Sequence, residues 1–363
     1  ILYLVTEDGY ICMHRLPNAR AARDAGFRVL VATQVDAHGG VIEKEGFELI
    51  PMRWERGSLN PFHALSELRQ IVAIYRSRHP DLVHHFALKP SLLGSVASVI
   101  AGRSPVVNNL AWLGKAFSAQ GISASAISAV LIAAFKLLFS RSRACTIVEN
   151  SDDLAFLTGK VGLARDSLVL VRGIGVDETR FMPGEEPVGD ATVVTMVSRM
   201  LWPKGIRELV DAGSILRDRG IPVKIQLVGM PDPSSRVSVT ETELRQWDAD
   251  GNVAWLGYRE DIPAIWRDSN IAILPSWYRE GVPRGIQEAM AMGRPVVTTD
   301  MPGCRDTVEQ GVNGFLVPPR DTDALVSVLN RFISEPELVV EMGRASRERA
   351  EALFDARRAN RLL

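Results

Sequence analysis

The sequence predicts an α/β protein made of two doubly wound parallel-sheet domains in tandem. Short runs of Val, Ile and Leu alternate with longer segments of helical periodicity along the chain. This alternation is typical of parallel strands joined by crossover helices. The runs are apolar at nearly every position, which indicates strands buried on both faces. A length of 363 residues fits two domains.

The first half carries one series of predicted strands and helices. The strands fall near residues 1–5, 27–33, 46–51, 81–85, 105–109, 145–148 and 168–172. The helices fall at 13–25, 62–78, 90–101, 123–140 and 151–159. The opening apolar run is only five residues long and a polar Thr-Glu-Asp-Gly follows it. We therefore interpret it as a buried strand and not as a secretory signal.

A second series begins at Thr192, after a polar stretch rich in Pro and Gly at 173–190 that we interpret as a linker. Its strands are predicted at 192–197, 223–229, 253–256, 270–275, 295–298 and 314–317. We expect domains over 1–175 and 176–350. We also expect a terminal helix, about 351–363, to pack back on the first domain, and a ligand-binding cleft between the domains.

Composition excludes several function classes. Lys and Arg total 42 against 43 Asp and Glu, a net charge of -1, so the basic excess of a general nucleic-acid binder is missing. The three cysteines, Cys12, Cys145 and Cys304, are scattered and form no CxxC pair. We therefore predict neither a disulfide framework nor a metal site, and a reducing cytoplasmic location.

The most apolar segment is 123–139, which is shorter than the ~20 residues of a membrane-spanning helix and is interrupted by Lys136. Two interpretations stay open. The segment is either an amphipathic helix packed on the sheet, or a helix lying in a membrane interface, where Arg141 and Arg143 face anionic lipid.

The segment with the clearest chemistry is 276–297, which follows an apolar strand and runs into a helix. Glu280 lies in the loop and Glu288 lies in the helix. Between them, the backbone amides around 283–285 form a helix N-terminus, which suits a phosphate. A carboxylate on either side can accept hydrogen bonds from sugar hydroxyls. The pattern therefore favours a nucleotide-sugar site.

The stretch EGVPRGIQEAMAMGRPVV, with two Glu separated by seven residues, resembles the motif of retaining glycosyltransferases of family 4, which have the two-domain GT-B fold. Other segments agree. Residues 198–205 (SRMLWPKG) resemble the donor-phosphate segment of that family, and 227–229 and 256–261 resemble the strand ends that line its nucleotide base. The resemblance covers nearly the whole chain and is looser in the first half.

By this resemblance Glu288 would hold the ribose and Glu280 the transferred sugar, while Arg199 and Lys204 would neutralise the diphosphate. Further donor-binding residues implied by it are Gly281, Pro283, Arg284, Gly285, Gly229, Tyr258 and Arg259. The resemblance implies no metal and no cofactor, with a UDP-sugar as substrate. Two fixed cations and a helix terminus can stabilise the developing phosphate charge without a metal.

The first half, including Ser58–Phe62 and 84–91, looks like the branch of this family that builds capsules, O-antigens and lipid-linked oligosaccharides. Acceptor-binding residues implied on that basis are Gly9, His14, Arg15, His85, Lys89 and Asn109. One departure concerns the His-Gly that many relatives carry near 106–114. Here Ala111 or Trp112 occupies its place, which puts the positioning of the donor sugar in doubt.

The expected activity is transfer of a hexose or N-acetylhexosamine from a UDP-sugar to a saccharide linked to undecaprenyl diphosphate. The expected location is the cytoplasm, at the inner face of the cytoplasmic membrane, with no nucleic-acid partner. Two alternatives remain: a GT-B nucleotide-sugar epimerase, and a catalytically silent subunit that binds nucleotide-sugars. A membrane-surface scaffold is a further alternative, resting on 123–143 alone.

Overall fold

Two parallel sheets organise the chain in the computed structural model, which describes residues 1–55, 60–102, 104–110, 113, 122–233, 235–251 and 253–362. The chain divides into two units. The first contains Ile1–Ile174 with Asn360–Leu363, and the second contains Gly175–Ala359. The prediction of two doubly wound parallel sheets is confirmed, and each predicted strand overlaps an observed one.

The sheet of the first unit has the order β3-β2-β1-β4-β5-β6-β7, with every neighbouring pair parallel. Its strands are β1 (Leu2–Glu7), β2 (Leu30–Gln34), β3 (Glu48–Pro51), β4 (Val83–Phe86), β5 (Val106–Leu110), β6 (Ala144–Val148) and β7 (Leu168–Leu170). The α-helices of six or more residues are Leu16–Asp24, Gly39–Lys44, Pro61–Arg78, Leu88–Ala101, Ile122–Phe139 and Ser151–Phe156.

Two helices of this unit differ from the sequence prediction. The helix expected at 13–25 is a π-helical turn, Ile11–Arg15, followed by the α-helix Leu16–Asp24. Pro17, in the first turn of that helix, has no amide hydrogen, so the α-helical hydrogen-bond ladder cannot run through it. The helix expected at 151–159 changes at Leu157 into a π-helical turn that ends before Gly162, whose φ is 76°.

The sheet of the second unit has the order β10-β9-β8-β11-β12-β13, again parallel throughout. Its strands are β8 (Thr192–Val197), β9 (Val223–Val228), β10 (Ala254–Trp255), β11 (Ile271–Leu274), β12 (Val296–Thr299) and β13 (Gly314–Val317). Its α-helices are Ile206–Asp218, Glu241–Ala249, Ile262–Arg267, Arg284–Ala291, Thr322–Ser334 and Glu337–Leu353. A last helix, Ala356–Leu362, crosses the boundary between the units, and Asn360 accepts a hydrogen bond from Asn18 at 2.8 Å.

The strand order reverses direction once in each sheet, between β1 and β4 in the first unit and between β8 and β11 in the second. Loops that leave the carboxyl ends of two such strands turn to opposite faces of the sheet and open a crevice, which is where ligands bind in doubly wound folds. The segments after β8 and β11 contain Lys204 and Glu280. The topology therefore places the predicted donor residues at a position suited to a ligand.

The core of the second unit provides a stability test. Phe332 is 1% exposed and packs edge to face against Phe315. We expect Phe332→Ala to lower the free energy of unfolding by about 3–5 kcal/mol, because it removes buried apolar surface and leaves a cavity. Phe62, 78% exposed, is the control, and Phe62→Ala should change stability by no more than about 0.5 kcal/mol. Equal effects in urea unfolding would contradict the placement of this core.

Candidate functional site

A buried ion pair joins the segments that follow β8 and β11. Lys204 Nζ donates a hydrogen bond to Glu280 Oε1 at 2.5 Å, and the two side chains are only 11% and 10% exposed. Ser276 Oγ lies 3.0 Å from the same oxygen of Glu280. The sequence analysis assigns Lys204 to a phosphate and Glu280 to a sugar; in this structure the two bind each other.

Two glycines make this approach possible. Gly205 has a φ of 80°, and a Cβ there would lie 2.0 Å from the carbonyl oxygen of Pro275, which no side chain permits. Gly205 therefore lets the turn that carries Lys204 pack directly on the end of β11. Gly303, with a φ of 81°, plays the same part for the Glu280 loop, because a Cβ there would lie 1.6 Å from the oxygen of Gly281.

The charge of Lys204 survives burial because of its partner. Desolvation acts to lower the pKa of Lys204, but the Glu280 carboxylate and the nearby Tyr278 outweigh it, so the net shift of the pKa is upward. Close by, the pKa of the Cys304 thiol is raised to about 12. Burial is the main cause, and the negative charge of Glu280 adds to it. The site at neutral pH therefore contains a cationic lysine and a protonated thiol.

The helix Arg284–Ala291 carries the second predicted carboxylate. Arg284 Nε donates to Glu288 Oε1 at 2.8 Å. Burial raises the pKa of Glu288, and the attraction of Arg284 opposes that rise. Gly285 brings the first turn of this helix against β8, since a Cβ there would lie 2.6 Å from the oxygen of Val197. The N-cap, Pro283, supplies no side-chain hydrogen bond, so the helix terminus depends on other acceptors for its amides.

The other predicted donor residues have separate surroundings. Arg199 forms an ion pair with Asp232 at 2.8 Å and its side chain is 56% exposed. Gly229 has a φ of 136°, and a Cβ there would lie 1.9 Å from the oxygen of Ser198, so only glycine allows the ends of β8 and β9 to meet. Tyr258 is exposed, and Arg259 binds Asp261 at 2.7 Å.

In the first unit, Arg15 is fully buried beside Glu149. Its Nη2 donates to Glu149 Oε1 at 2.7 Å and to the Tyr10 hydroxyl at 3.2 Å, and its guanidinium lies over the Phe86 ring. Burial opposes the charge of Arg15, but Tyr10 and Glu149 more than compensate and the pKa of Arg15 is raised. Contact between this guanidinium and an acceptor would require the surrounding residues to move, because Arg15 is only 1% exposed.

His85 also has internal partners. Its Nε2 lies 2.7 Å from the Tyr75 hydroxyl and its Nδ1 lies 2.8 Å from Asn108 Oδ1. Burial, only partly opposed by the hydrogen bond to Asn108, lowers the pKa of His85 to about 4. Gly94 passes directly over the ring, since a Cβ there would lie 2.4 Å from Nε2. The structure thus makes His85 a neutral residue of the interior.

The remaining predicted acceptor residues are more varied. Gly9 and His14 lie in the helical turns that follow β1. Lys89 Nζ donates to Glu67 Oε1 at 2.7 Å and to the main-chain oxygen of Glu55 at 3.0 Å. Asn109 is 1% exposed, and neither polar atom of its amide has a hydrogen-bond partner in the part of the chain that the structure describes.

Ala111 and Trp112, which stand where many relatives carry His-Gly, lie outside the described residues. Among the residues that are described, no group of His, Cys, Asp and Glu is arranged to hold a metal ion. Within the same ranges, no helix is both long and apolar enough to span a membrane.

Sequence reasoning missed two members of these clusters. Ser276 is the first residue of the segment 276–297 but received no role, although its place just beyond the buried strand β11 was the signal to use. Glu149 directly follows β6 in the same way. Polar residues at the carboxyl ends of parallel strands converge on one edge of a sheet, so both positions could have been selected on that ground.

The two halves of the chain match two glycosyltransferase domain families. Residues 1–149 match the family described as glycosyl transferase 4-like, and residues 191–335 match the family described as glycosyl transferases group 1. The two matches together span most of the chain. The protein is therefore composed of glycosyltransferase-family domains.

Particular relatives extend this result. The chain is 24% identical over 342 residues to the N,N'-diacetylbacillosaminyl-diphospho-undecaprenol α-1,3-N-acetylgalactosaminyltransferase of Campylobacter jejuni, covering 91% of this chain and 88% of the relative. It is 23% identical to the UDP-Gal:α-D-GlcNAc-diphosphoundecaprenol α-1,3-galactosyltransferase of Escherichia coli, covering 76% and 72%. The structure of HepE from Anabaena in complex with UDP superposes with a TM-score of 0.78 at 23% identity, covering 99% of this chain and 97% of HepE. The fold is GT-B.

The buried histidine predicts an acid-sensitive first unit. An exposed histidine binds a proton below about pH 6.5, whereas folded His85 stays neutral until about pH 4. The unfolded state therefore binds more protons in this window, and stability is lost as the pH falls through it, by about 3 kcal/mol. We expect His85→Gln to reduce the dependence of unfolding free energy on pH between 6.5 and 4, while the neighbouring His84, also buried and with its pKa lowered by burial, keeps part of that dependence.

His79, which is exposed and has a left-handed φ of 45° that Asn tolerates, supplies the control. His79→Asn should keep the slope of the wild type. A slope that is unchanged in His85→Gln would show that this residue does not supply the acid sensitivity.

Proposed function

We propose that the protein is a retaining glycosyltransferase that moves a hexose or N-acetylhexosamine from a UDP-sugar to an undecaprenyl-diphosphate-linked saccharide during polysaccharide assembly. The observation that carries the proposal is the buried Lys204–Glu280 pair at the reversal point of the second sheet. It places a cation and a carboxylate beside the N-terminus of the helix that contains Glu288. A nucleotide-sugar offers matching chemistry, with an anionic diphosphate between two polyols.

Each group has a task in this proposal. Lys204 and the backbone N–H groups of Arg284 and Gly285 bind the diphosphate, with Arg199 assisting from its exposed position. Glu288 accepts hydrogen bonds from the ribose hydroxyls, and Glu280 accepts them from the transferred sugar. The backbone at Gly229 and the exposed ring of Tyr258 line the base. The named activity of the E. coli relative, which uses UDP-Gal, supports a UDP-sugar donor.

The proposed reaction retains configuration at the anomeric carbon. The acceptor hydroxyl oxygen forms a bond to that carbon on the face from which the diphosphate leaves. The bond between the anomeric carbon and the phosphate oxygen breaks, UDP departs with its electrons, and the leaving phosphate oxygen takes the acceptor proton. Lys204 and the helix terminus stabilise the charge that develops on the phosphate. We infer that no metal or organic cofactor takes part.

The first unit is the proposed acceptor domain. The two relatives named above act on saccharides linked to undecaprenyl diphosphate, according to their names. In this chain Gly9 and His14 follow β1, and Lys89 follows β4. Asn109 is the last residue but one of β5. The residues after β1 and β4 flank the reversal point of the first sheet, where a ligand is expected, and Asn109 lies on the next strand. Lys89 supplies a cation for an acceptor diphosphate.

We also propose that the helix Ile122–Phe139 rests on an anionic membrane surface. One side of it packs into the first unit through Phe135 and Phe139, which are fully buried. The opposite side exposes Ile127, Val130 and Leu137, which are 54%, 68% and 76% exposed. A helix that is apolar on both sides while one side faces solvent suits an interface. Lys136, Arg141 and Arg143 near its end supply positive charge for anionic lipid.

The role of Glu280 is tested by Glu280→Gln. We expect this substitution to remove most transfer of sugar to a lipid-linked acceptor, because the amide cannot stabilise positive charge at the sugar. The affinity for UDP should stay within several-fold of the wild type, since UDP lacks the sugar. Transfer is measured with a radiolabelled donor and an extracted acceptor, and turnover at the wild-type rate would exclude this role. Isomer formed without acceptor would instead support the epimerase alternative.

The role of Lys204 is tested by Lys204→Ala. Loss of one charge-assisted hydrogen bond should weaken UDP binding by ~1.5–3 kcal/mol, about 10- to 150-fold. Lys224 is an exposed lysine of the same unit, so Lys224→Ala is the matched control. Isothermal titration with UDP measures both variants. UDP affinity that is equal in the two variants would contradict phosphate binding by Lys204.

The membrane proposal is tested with vesicles that differ only in charge. The wild type should sediment with vesicles containing anionic phospholipid and much less with neutral ones. Val130→Ser combined with Leu137→Ser should lower this binding at least about tenfold, because each buried aliphatic side chain contributes roughly 1.5–3 kcal/mol. Val340→Ser, at a 60% exposed position of the second unit, is the control. Binding that is equal for all variants would exclude this helix as the contact.

A further inference from the structure

One oxygen of the Glu280 carboxylate has two hydrogen-bonding neighbours of very different mobility. Lys204 Nζ lies 2.5 Å from Glu280 Oε1, and Ser276 Oγ lies 3.0 Å from the same atom. The lysine reaches this oxygen through four methylene groups with rotatable bonds, whereas the serine hydroxyl is one bond away from Cβ. Lys204 can leave Glu280 by rotating its side chain, but Ser276 cannot move far without moving the main chain.

The main chain at Ser276 is firmly held. Ser276 is fully buried, and its carbonyl oxygen accepts a hydrogen bond from the hydroxyl of Thr299 at the end of β12. The preceding residue, Pro275, packs against Gly205, where a Cβ would lie 2.0 Å from the main-chain oxygen of Pro275. The hydroxyl of Ser276 is therefore fixed relative to the sheet.

The hydroxyl of Ser276 has one proton and three acceptors within reach. These are Glu280 Oε1 at 3.0 Å, the main-chain oxygen of Pro203 at 3.1 Å and the main-chain oxygen of Tyr278 at 3.4 Å. An ionised carboxylate is a stronger acceptor than a neutral carbonyl, and it is also the nearest of the three. The proton therefore goes to Glu280.

We propose that Ser276 is a positioning residue that keeps the Glu280 carboxylate directed at the donor sugar after Lys204 has turned to the donor diphosphate. This inference rests on the proposed function of the same site. In the structure described here Lys204 and Ser276 share the carboxylate oxygen. When a diphosphate arrives, Lys204 exchanges one anion for another, and the Ser276 hydroxyl remains in place on Glu280 Oε1. Ser276 touches neither substrate and acts only through Glu280.

The exchange predicts a specific binding pattern, measured by isothermal titration of the full chain with UDP and with a panel of UDP-hexoses and UDP-N-acetylhexosamines. Ser276→Ala should weaken the best UDP-sugar about tenfold and leave UDP within about twofold, because only the sugar contacts Glu280. Ser276→Ala should cause no such loss of UDP-sugar affinity in a protein that already carries Glu280→Gln. In the double variant the UDP-sugar should bind as it does in Glu280→Gln alone.

Matched variants separate positioning from general damage. Ser346 is as fully buried as Ser276 and its hydroxyl donates to the oxygen of Asn313, remote from Glu280 in sequence, so Ser346→Ala should leave both affinities unchanged. Ser276→Thr keeps the hydroxyl and should retain sugar binding, whereas Ser276→Cys offers only a weak donor and should lose it. These two variants carry the test if Ser276→Ala does not fold.

Four results would overturn the inference. Equal weakening of UDP and UDP-sugar in Ser276→Ala would assign the residue to loop structure alone. An undiminished effect of Ser276→Ala in the Glu280→Gln background would show that it does not act through Glu280. Absence of UDP binding by the wild type would remove the proposed function together with this inference, whereas UDP binding with no effect of Ser276→Ala would remove the inference only.

Discussion

The arrangement of the second unit depends on burying two opposite charges together. A lone buried carboxylate or ammonium is strongly disfavoured, and removing one partner of such a pair leaves the other uncompensated. Lys204 and Glu280 avoid this by binding each other at 2.5 Å. The glycines at 205 and 303 are consequences of the same constraint, because a side chain at either would push the two loops apart. The Lys204–Glu280 pair thus fixes the conformation of the two loops that carry it and supplies the charged groups of the candidate site.

A buried pair of this kind also prepares the site for an anionic ligand. A lysine held by a carboxylate is already ordered and largely desolvated. The side chain therefore loses little further conformational freedom and hydration when a diphosphate replaces the carboxylate as its partner. In the first unit, by contrast, Arg15 and Glu149 form a buried pair whose arginine is completely enclosed. That pair shapes the interior, while the pair in the second unit has one flexible member that can change partners.

Much of the fold was predictable because its signal is local. Short apolar runs bounded by polar residues mark strands that are buried on both faces, and each run predicted as a strand overlaps an observed strand. Pro17 is a local feature too, and it marks the change from a π-helical turn to an α-helix. Hydrophobic spacing alone predicts one continuous helix at 13–25 and misses this change.

The candidate site was predictable as a set of residues but not as a set of contacts. The two-glutamate motif identified Glu280 and the segment 198–205 identified Lys204, yet their pairing joins positions 76 residues apart and arises only when β8 and β11 become neighbours. Arg15 and His85 were predicted as acceptor-binding residues from the resemblance of the first half to one branch of the family. Their partners, Glu149 and Tyr75, belong to other elements, and only packing decides which polar group meets which.

The central claim, a nucleotide-sugar site in the second unit, is tested most directly by thermal unfolding of the full chain against UDP, GDP, ADP and the common UDP-sugars. A ligand that binds only the folded state stabilises it by ~2.7 kcal/mol at about 100 times its dissociation constant. The account predicts a raised midpoint with UDP and a further rise with one UDP-sugar. A midpoint that no nucleotide changes would contradict it.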